Sequence, residues 1–176
     1  MAERTNILTV VVSVFNEEEA LPLCRERLTE VLERSGRPYA LLFVNDGSSD
    51  RSAELLDRFA AEDARIRVLH FSRNFGHEAA MIAGIDYAEG NVICMDADLQ
   101  HPPQCIPEIL RAFDEGCDVI SMVRTANRSA GLIKNITSAG FYGVMNALSG
   151  TRFEKNASDF FGISARAAEV LRHDYR

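Results

Sequence analysis

The sequence predicts an α/β protein built on a doubly wound sheet. Short aliphatic runs recur along the chain, helical patterns separate them, and polar clusters follow the runs. Unbroken aliphatic runs are typical of strands buried on both faces, and strict alternation with helices gives a βαβ succession.

Leu8 to Val14 is the first strand. Asn16 is placed to cap the helix after it, with Glu19 three residues on as its capping-box partner. That helix carries Leu21, Leu28, Val31 and Leu32 at helical spacing and ends near Gly36-Arg37-Pro38. Tyr39 to Val44 is the second strand. Asn45-Asp46-Gly47-Ser48-Ser49 then turns into a helix bearing Leu55, Leu56 and Phe59. Ile66 to Phe71 is the third strand, and the loop Ser72 to Gly76 leads into an alanine-rich helix up to Glu89. Asn91 to Met95 is the fourth strand, followed by Asp96-Ala97-Asp98, a proline turn and a helix from about Pro103 to Glu115. Asp118 to Val123 is the fifth. Thr125 to Gly131 reads as a loop and Leu132 to Leu148 as an amphipathic helix. Phe160 to Ile163 reads as a short strand and Ala165 to Leu171 as helix.

The 176 residues suit one domain with a single core. Apolar residues make up 47% and charged residues 26%, ordinary for a globular protein. A net charge of −7 argues against nucleic acid as a partner. An acidic protein that holds an anionic nucleotide needs a cation between them. The four cysteines form no CxxC pair, and Cys94 and Cys117 read as small core residues, so a reducing cytoplasm fits best. Met1 to Thr5 is too polar for a signal peptide, and no run reaches the ~20 apolar residues of a membrane span.

Ligands of open α/β sheets sit at the carboxyl ends of the strands. Those ends hold Phe15-Asn16-Glu17, Asn45 to Ser48, Ser72-Arg73-Asn74 and Asp96-Ala97-Asp98. Each cluster taken alone could be a helix cap or a turn; Asn45 to Ser49 divides evenly between the two readings. Asp96-Ala97-Asp98 is the sharpest signal. Alternation along an extended chain points both carboxylates to one side, and paired carboxylates beside a diphosphate suit Mg²⁺ or Mn²⁺. The chain has no GxGxxG, no GxxxxGK[ST] and no GxSxG, which turns the reading away from dinucleotide enzymes, P-loop NTPases and serine hydrolases. His70 reads as structural, His77 as a helix-start residue, His101 as a turn residue and His173 as part of the tail. Phe141, Tyr142, Val144, Met145 and Leu148 read as a core or membrane-facing stripe.

Four segments together resemble family 2 glycosyltransferases. They are Val11-Val12-Ser13-Val14-Phe15-Asn16-Glu17-Glu18-Glu19, Val44-Asn45-Asp46-Gly47-Ser48-Ser49-Asp50, Ser72-Arg73-Asn74-Phe75-Gly76-His77 and Asp96-Ala97-Asp98-Leu99-Gln100-His101-Pro102-Pro103. The last two are similar to the branch that loads sugars onto polyprenyl or dolichyl phosphate, and the likeness runs from about Ile7 to Leu171. It implies a GT-A type fold, a single domain on a Rossmann-like, doubly wound mixed sheet. Asn16, Glu17, Asp46, Ser48, Asn74 and Asp96 would line the nucleoside pocket. Asp96, Asp98 and Gln100 would organise Mg²⁺ or Mn²⁺ and the diphosphate. Arg124, with Arg128 and Lys134 as looser candidates, would meet the acceptor phosphate, and Asp159 would stand at the transfer centre.

The sequence departs from the family pattern at His101, where Asp is frequent, and at Phe161-Gly162, where a basic and an aliphatic residue are usual. The downstream arginine segment and the C-terminal membrane helices of this branch are not in the sequence, so the chain is expected to lack its membrane elements. The implied partners are a nucleoside-diphosphate sugar, in which Asp46 could accept a hydrogen bond from a uracil imide, a polyprenyl phosphate and the cytoplasmic face of a membrane. A homo-oligomer stays open. The expected reaction is inverting: the lipid phosphate attacks the anomeric carbon opposite the leaving diphosphate and, being anionic already, needs no strong base. The rivals are a transferase with a saccharide hydroxyl as acceptor, a nucleotidyltransferase and a non-catalytic sugar-nucleotide-binding domain. The glycine- and lysine-rich loop of nucleotidyltransferases is absent after Val14.

Overall fold

A computed structural model describes residues 7–123 and 157–174. The chain divides into a larger unit, Met1–Ile120 with Asp159–Arg176, and a smaller one, Ser121–Ser158. Along the chain the elements are β1 (Leu8–Val14), α1 (Leu21–Ser35), β2 (Tyr39–Asn45), α2 (Ser52–Glu62), β3 (Ile66–His70), α3 (His77–Tyr87) and β4 (Asn91–Asp96). A 3₁₀ turn at Pro103–Cys105 leads into α4 (Ile106–Asp114), then β5 (Val119–Val123), β6 (Ala157–Ile163) and α5 (Ala165–Asp174).

The six strands form one sheet in the order β3-β2-β1-β4-β6-β5. β1 runs parallel to β2 and β4, and β2 parallel to β3, whereas β6 is antiparallel to β4, so the sheet is mixed. All seven residues of β1 and of β2 are buried. Each fully buried Val or Leu side chain contributes roughly 1.5–3 kcal/mol, so β1 and β2 anchor the sheet.

Side chains alternate between two faces. On one face Val11, Leu42, Val44, Val92 and Cys94 pack with Ala80, Met81 and Ile85 of α3 and Ala168 of α5. On the other, Phe43 meets Phe59 of α2, with ring centroids 6.5 Å apart. Gly162 lies there under Ile109 and Phe113 of α4. A Cβ on it would come within 2.7 Å of Ile109 Cγ2, so close helix packing explains the departure at this position. Helices therefore cover both faces, as the sequence predicts.

Four expectations need correction. Asn16 does not cap α1 and Glu19 does not complete a capping box: the helix begins at Leu21 behind Ala20, with no side-chain cap. Asn16 instead adopts a left-handed conformation, φ 56°, which Asn tolerates. Cys117 is exposed rather than core, because it falls in the turn before β5, whereas Cys24 and Cys94 are buried. Burial pushes both of those thiols up to about 12, so they stay protonated and inert. The last strand is longer than Phe160 to Ile163, starting at Ala157. Finally, Asp98 is not extended: β4 closes at Asp96, and Asp98 sits in the turn after it. Among the described residues no helix is long and apolar enough to cross a membrane.

Candidate active site

The loops leaving β1 and β2 are laced together at the carboxyl edge. The Asn16 amide donates to Ser48 Oγ at 3.0 Å, and Asn16 Oδ1 accepts from the Ser49 amide at 2.8 Å. The amides of Glu17 and Glu18 donate to Ser52 Oγ and Asp50 Oδ2. The left-handed turn at Asn16 makes this possible by aiming successive amides at the neighbouring loop. Asn45 Oδ1 closes the second loop on the Ser48 amide at 3.0 Å. The Asn45 Nδ2 group lies 3.0 Å from His70 Nδ1, and His70 Nε2 lies 3.1 Å from Asp57, so His70 is structural as expected.

Asp46 is buried, and its carboxylate accepts the Phe75 and Gly76 amides at 2.7 and 3.0 Å. It therefore builds the β3–α3 loop. Gly47 has φ 66°, and a Cβ there would lie 2.3 Å from the Arg73 carbonyl carbon, so only glycine lets the two loops touch. Asn74 is exposed on that loop, beside Phe75, whose ring carries the Arg73 guanidinium 4.7 Å above it.

The centre of the edge is Asp96. Ser13 Oγ donates to its Oδ1 at 2.5 Å, and His77 Nδ1 lies 3.1 Å from the same oxygen and 3.0 Å from Ser13 Oγ. Ser13 and Asp96 are register partners across β1 and β4. Antiparallel β6 adds a third group. Its register sets Cys94 opposite Phe161, and continuing it sets Asp159 opposite Asp96. Asp159 Oδ1 then stands 4.0 Å from His77 Nε2. Asp98 lies in the turn after β4, where its Oδ1 accepts the Gln100 amide at 3.0 Å, and Leu99 between them is left-handed at φ 58°. His101, in the same turn, is buried with its ring 5.6 Å from that of Phe160.

Glu17 reports on the local potential. Burial, then the charges of Asp98, Asp96 and Asp50, hold its carboxyl above the ordinary range. Among the described residues no lysine or arginine forms an ion pair with Glu17, Asp96, Asp98 or Asp159. A partly buried patch of carboxylates with one imidazole is chemically suited to a divalent cation.

Asn16, Glu17, Asp46, Ser48, Asn74, Asp96, Asp98 and Gln100 thus all lie on the expected edge, and Asp159 joins them. Arg124, Arg128, Lys134 and the Leu132 to Leu148 stretch lie outside the described residues. Ser13 and His77 are functional candidates that the sequence pattern alone does not single out. A hydroxyl inside an aliphatic strand, and a histidine at the start of the helix after a parallel strand, are the signals it offers.

Comparison with known proteins identifies the family. The description "Glycosyl transferase family 2" matches residues 9–169. The chain belongs to glycosyl transferase family 2. A Bacillus subtilis family protein described as an uncharacterized glycosyltransferase is 41% identical over 93% of this chain and 51% of its own length. The bactoprenol glucosyl transferase of Shigella phage SfV is 35% identical over 94% of this chain and 54% of its own. The undecaprenyl-phosphate 4-deoxy-4-formamido-L-arabinose transferase of Pectobacterium carotovorum is 42% identical over 74% of this chain and 40% of its own. The chain therefore spans about half the length of the curated relatives it matches. Among solved structures, glucosyl-3-phosphoglycerate synthase from Mycobacterium tuberculosis with Mn²⁺, UDP and phosphoglyceric acid matches with a TM-score of 0.66. Its sequence is 19% identical, with 94% of this chain and 57% of that one covered. That likeness supports the GT-A fold.

Proposed function

We propose that this chain is the donor-binding part of an inverting glycosyltransferase that moves a sugar from a nucleoside-diphosphate sugar, a UDP-sugar, to polyprenyl phosphate. The carrying observation is the carboxylate edge of Glu17, Asp96, Asp98 and Asp159, unpaired with lysine or arginine among the described residues. An anionic diphosphate would be repelled there without a cation. The similarity to a bactoprenol glucosyl transferase and to an undecaprenyl-phosphate 4-deoxy-4-formamido-L-arabinose transferase supports the acceptor class.

In this reading Asn16, Glu17, Asp46, Ser48 and Asn74 line the nucleoside pocket. Two amides occupy the Asp46 carboxylate; a carboxylate has about four acceptor sites, which leaves room for a uracil imide N–H. Asp96, Asp98 and Gln100 hold Mg²⁺ or Mn²⁺, which when bound supplies positive charge to the departing diphosphate. Arg124, with Arg128 and Lys134, meets the acceptor phosphate at a membrane surface, and Asp159 positions donor and acceptor. Calorimetry with UDP, ADP and GDP, in Mn²⁺ and in chelator, tests the donor half. UDP is expected to bind tightest and only with metal; equal affinity in chelator, or ADP or GDP binding about ten times more tightly, overturns it. Transfer to polyprenyl phosphate, by the chain joined to the rest of a relative's length, tests the acceptor half. Arg124→Ala is expected to lower transfer and spare UDP binding; unchanged transfer removes Arg124 from the acceptor site.

A further inference from the structure

Asn45 closes β2, its side chain is buried, and both ends of its amide are engaged. Oδ1 accepts the Ser48 amide at 3.0 Å. A backbone N–H can only donate, so this contact settles which end of the side chain is oxygen. The Nδ2 group therefore faces His70 Nδ1, 3.0 Å away, and has to donate to it. Nδ1 is then the unprotonated nitrogen of a neutral ring. The ring proton sits on Nε2, which donates to Asp57 at 3.1 Å.

A second proton on this ring has one place to go, Nδ1. It turns the acceptor into a donor and sets it against the Asn45 amide group, also a donor. Asn45 has no second arrangement that suits both neighbours. Turned over, it meets His70 with Oδ1 but presents Nδ2 to the Ser48 N–H. Protonation therefore costs either the bond to His70 or the bond to Ser48, and a buried amide has no bulk water to replace the lost partner. The effect reaches the next loop as well, because Ser48 Oγ accepts the Asn16 amide at 3.0 Å.

The charged groups around His70 leave this conflict in place. From α2, Asp57 meets the ring; its side chain is 72% exposed, and an exposed ion pair contributes little. Glu54 stands on the same helix, and Arg58 there is turned to Glu62 at 3.9 Å. Asp46, next to Asn45, gives its carboxylate to the Phe75 and Gly76 amides. Arg73, on the loop leaving β3, stacks on Phe75, and Arg67 of β3 itself reaches Glu89 at 3.7 Å.

We propose that His70 is a pH-sensitive latch on the nucleoside loop: the neutral ring holds Asn45 on Ser48, and protonation releases that turn and weakens nucleotide binding. The binding half rests on the donor reading above; the latch itself does not.

The test follows the whole chain from about pH 5 to 8, by NMR without nucleotide and by calorimetry with UDP and Mn²⁺. The His70 ring, the Asn45 side-chain amide and the Ser48 backbone amide are expected to titrate with one midpoint. One pH unit below it about a tenth of the rings stay neutral, so UDP should bind about tenfold more weakly than on the alkaline plateau. His70→Gln offers Asn45 an oxygen that does not titrate. That chain should lose this tenfold fall and keep only the pH dependence that UDP and the other acids give both chains. A Ser48 amide that holds its position while His70 titrates overturns the latch, as does a ring that stays neutral down to about pH 5. Equal pH dependence of UDP affinity in the two chains overturns the proposal and leaves the donor reading standing. Should UDP fail to bind at any pH, the donor reading fails and the Ser48 signal alone decides the latch. Should His70→Gln fail to fold, the wild-type titration decides in the same way.

Discussion

The amino ends and the carboxyl ends of the strands both carry acids, in opposite settings. At the amino ends acids meet arginines. Arg65, just before β3, reaches Asp63 at 2.7 Å and Glu33 at 3.3 Å. Arg37, before β2, reaches Asp114 at 2.5 Å, and Arg166 pairs with Asp118. At the carboxyl ends of the parallel strands, where antiparallel β6 begins, Glu17, Asp96, Asp98 and Asp159 crowd together, with His77 as their one basic partner among the described residues. The same residue type closes the fold at one edge and leaves a negative site at the other. The arginines neutralise the acids of the amino edge, whereas Glu17, Asp96, Asp98 and Asp159 have no lysine or arginine against them among the described residues.

The largest expected effect falls on binding. Asp98→Ala should weaken UDP binding in Mn²⁺ on the order of 100-fold with an unchanged circular dichroism spectrum, by calorimetry. An intact affinity would erase the distinction between the edges. Next comes Gly47→Ala, which puts a Cβ against the Arg73 backbone at positive φ. It should destabilise by about 2 kcal/mol or more in urea unfolding.

The two edges should also answer pH with opposite sign. Hydrogen bonding from Arg65 holds the Asp63 carboxyl below its ordinary value. Its contribution is therefore present above the unfolded pKa of about 3.9 and fades as pH falls through the lower folded value. Asp63→Asn should cost up to about 1 kcal/mol at pH 7, since the arginine is exposed to solvent, and almost nothing in strong acid. Glu17 runs the other way. Its folded pKa is raised by burial and by Asp98, Asp96 and Asp50, so stability is lost as pH rises through it. Glu17→Gln should stabilise the metal-free chain by a few tenths of a kcal/mol at pH 7, with the gain vanishing below pH about 4. Urea midpoints across pH check both, and a Glu17→Gln chain that is weaker at pH 7 would remove the electrostatic contrast.

Much of this contrast is legible in the sequence. β1, β2 and β4 can be read because buried parallel strands tolerate almost nothing but aliphatic side chains, and Asp96 is marked by ending such a run. Asn16 misleads because its cap-like residue type suits a left-handed turn equally well. Cys117 misleads because burial depends on what packs over a turn, which no local pattern records. His77 and Asp159 reach Asp96 through strand order and the reversal of β6, and both are long-range facts. A chain position 63 residues beyond another carries no local sign that the two become neighbours.

Ser13 and Asp96 are register partners on adjacent central strands, and their hydroxyl–carboxylate contact sits at the heart of the edge. A slip of one residue in β1 would turn Ser13 to the opposite face, while lengthening a surrounding loop leaves the pair where it is. The loops can therefore change length without disturbing this pair. β1 and β4 have to be inherited as a matched set, and chimaeras that graft loops onto this pair should keep the Ser13–Asp96 contact, whereas those that split the pair should lose it.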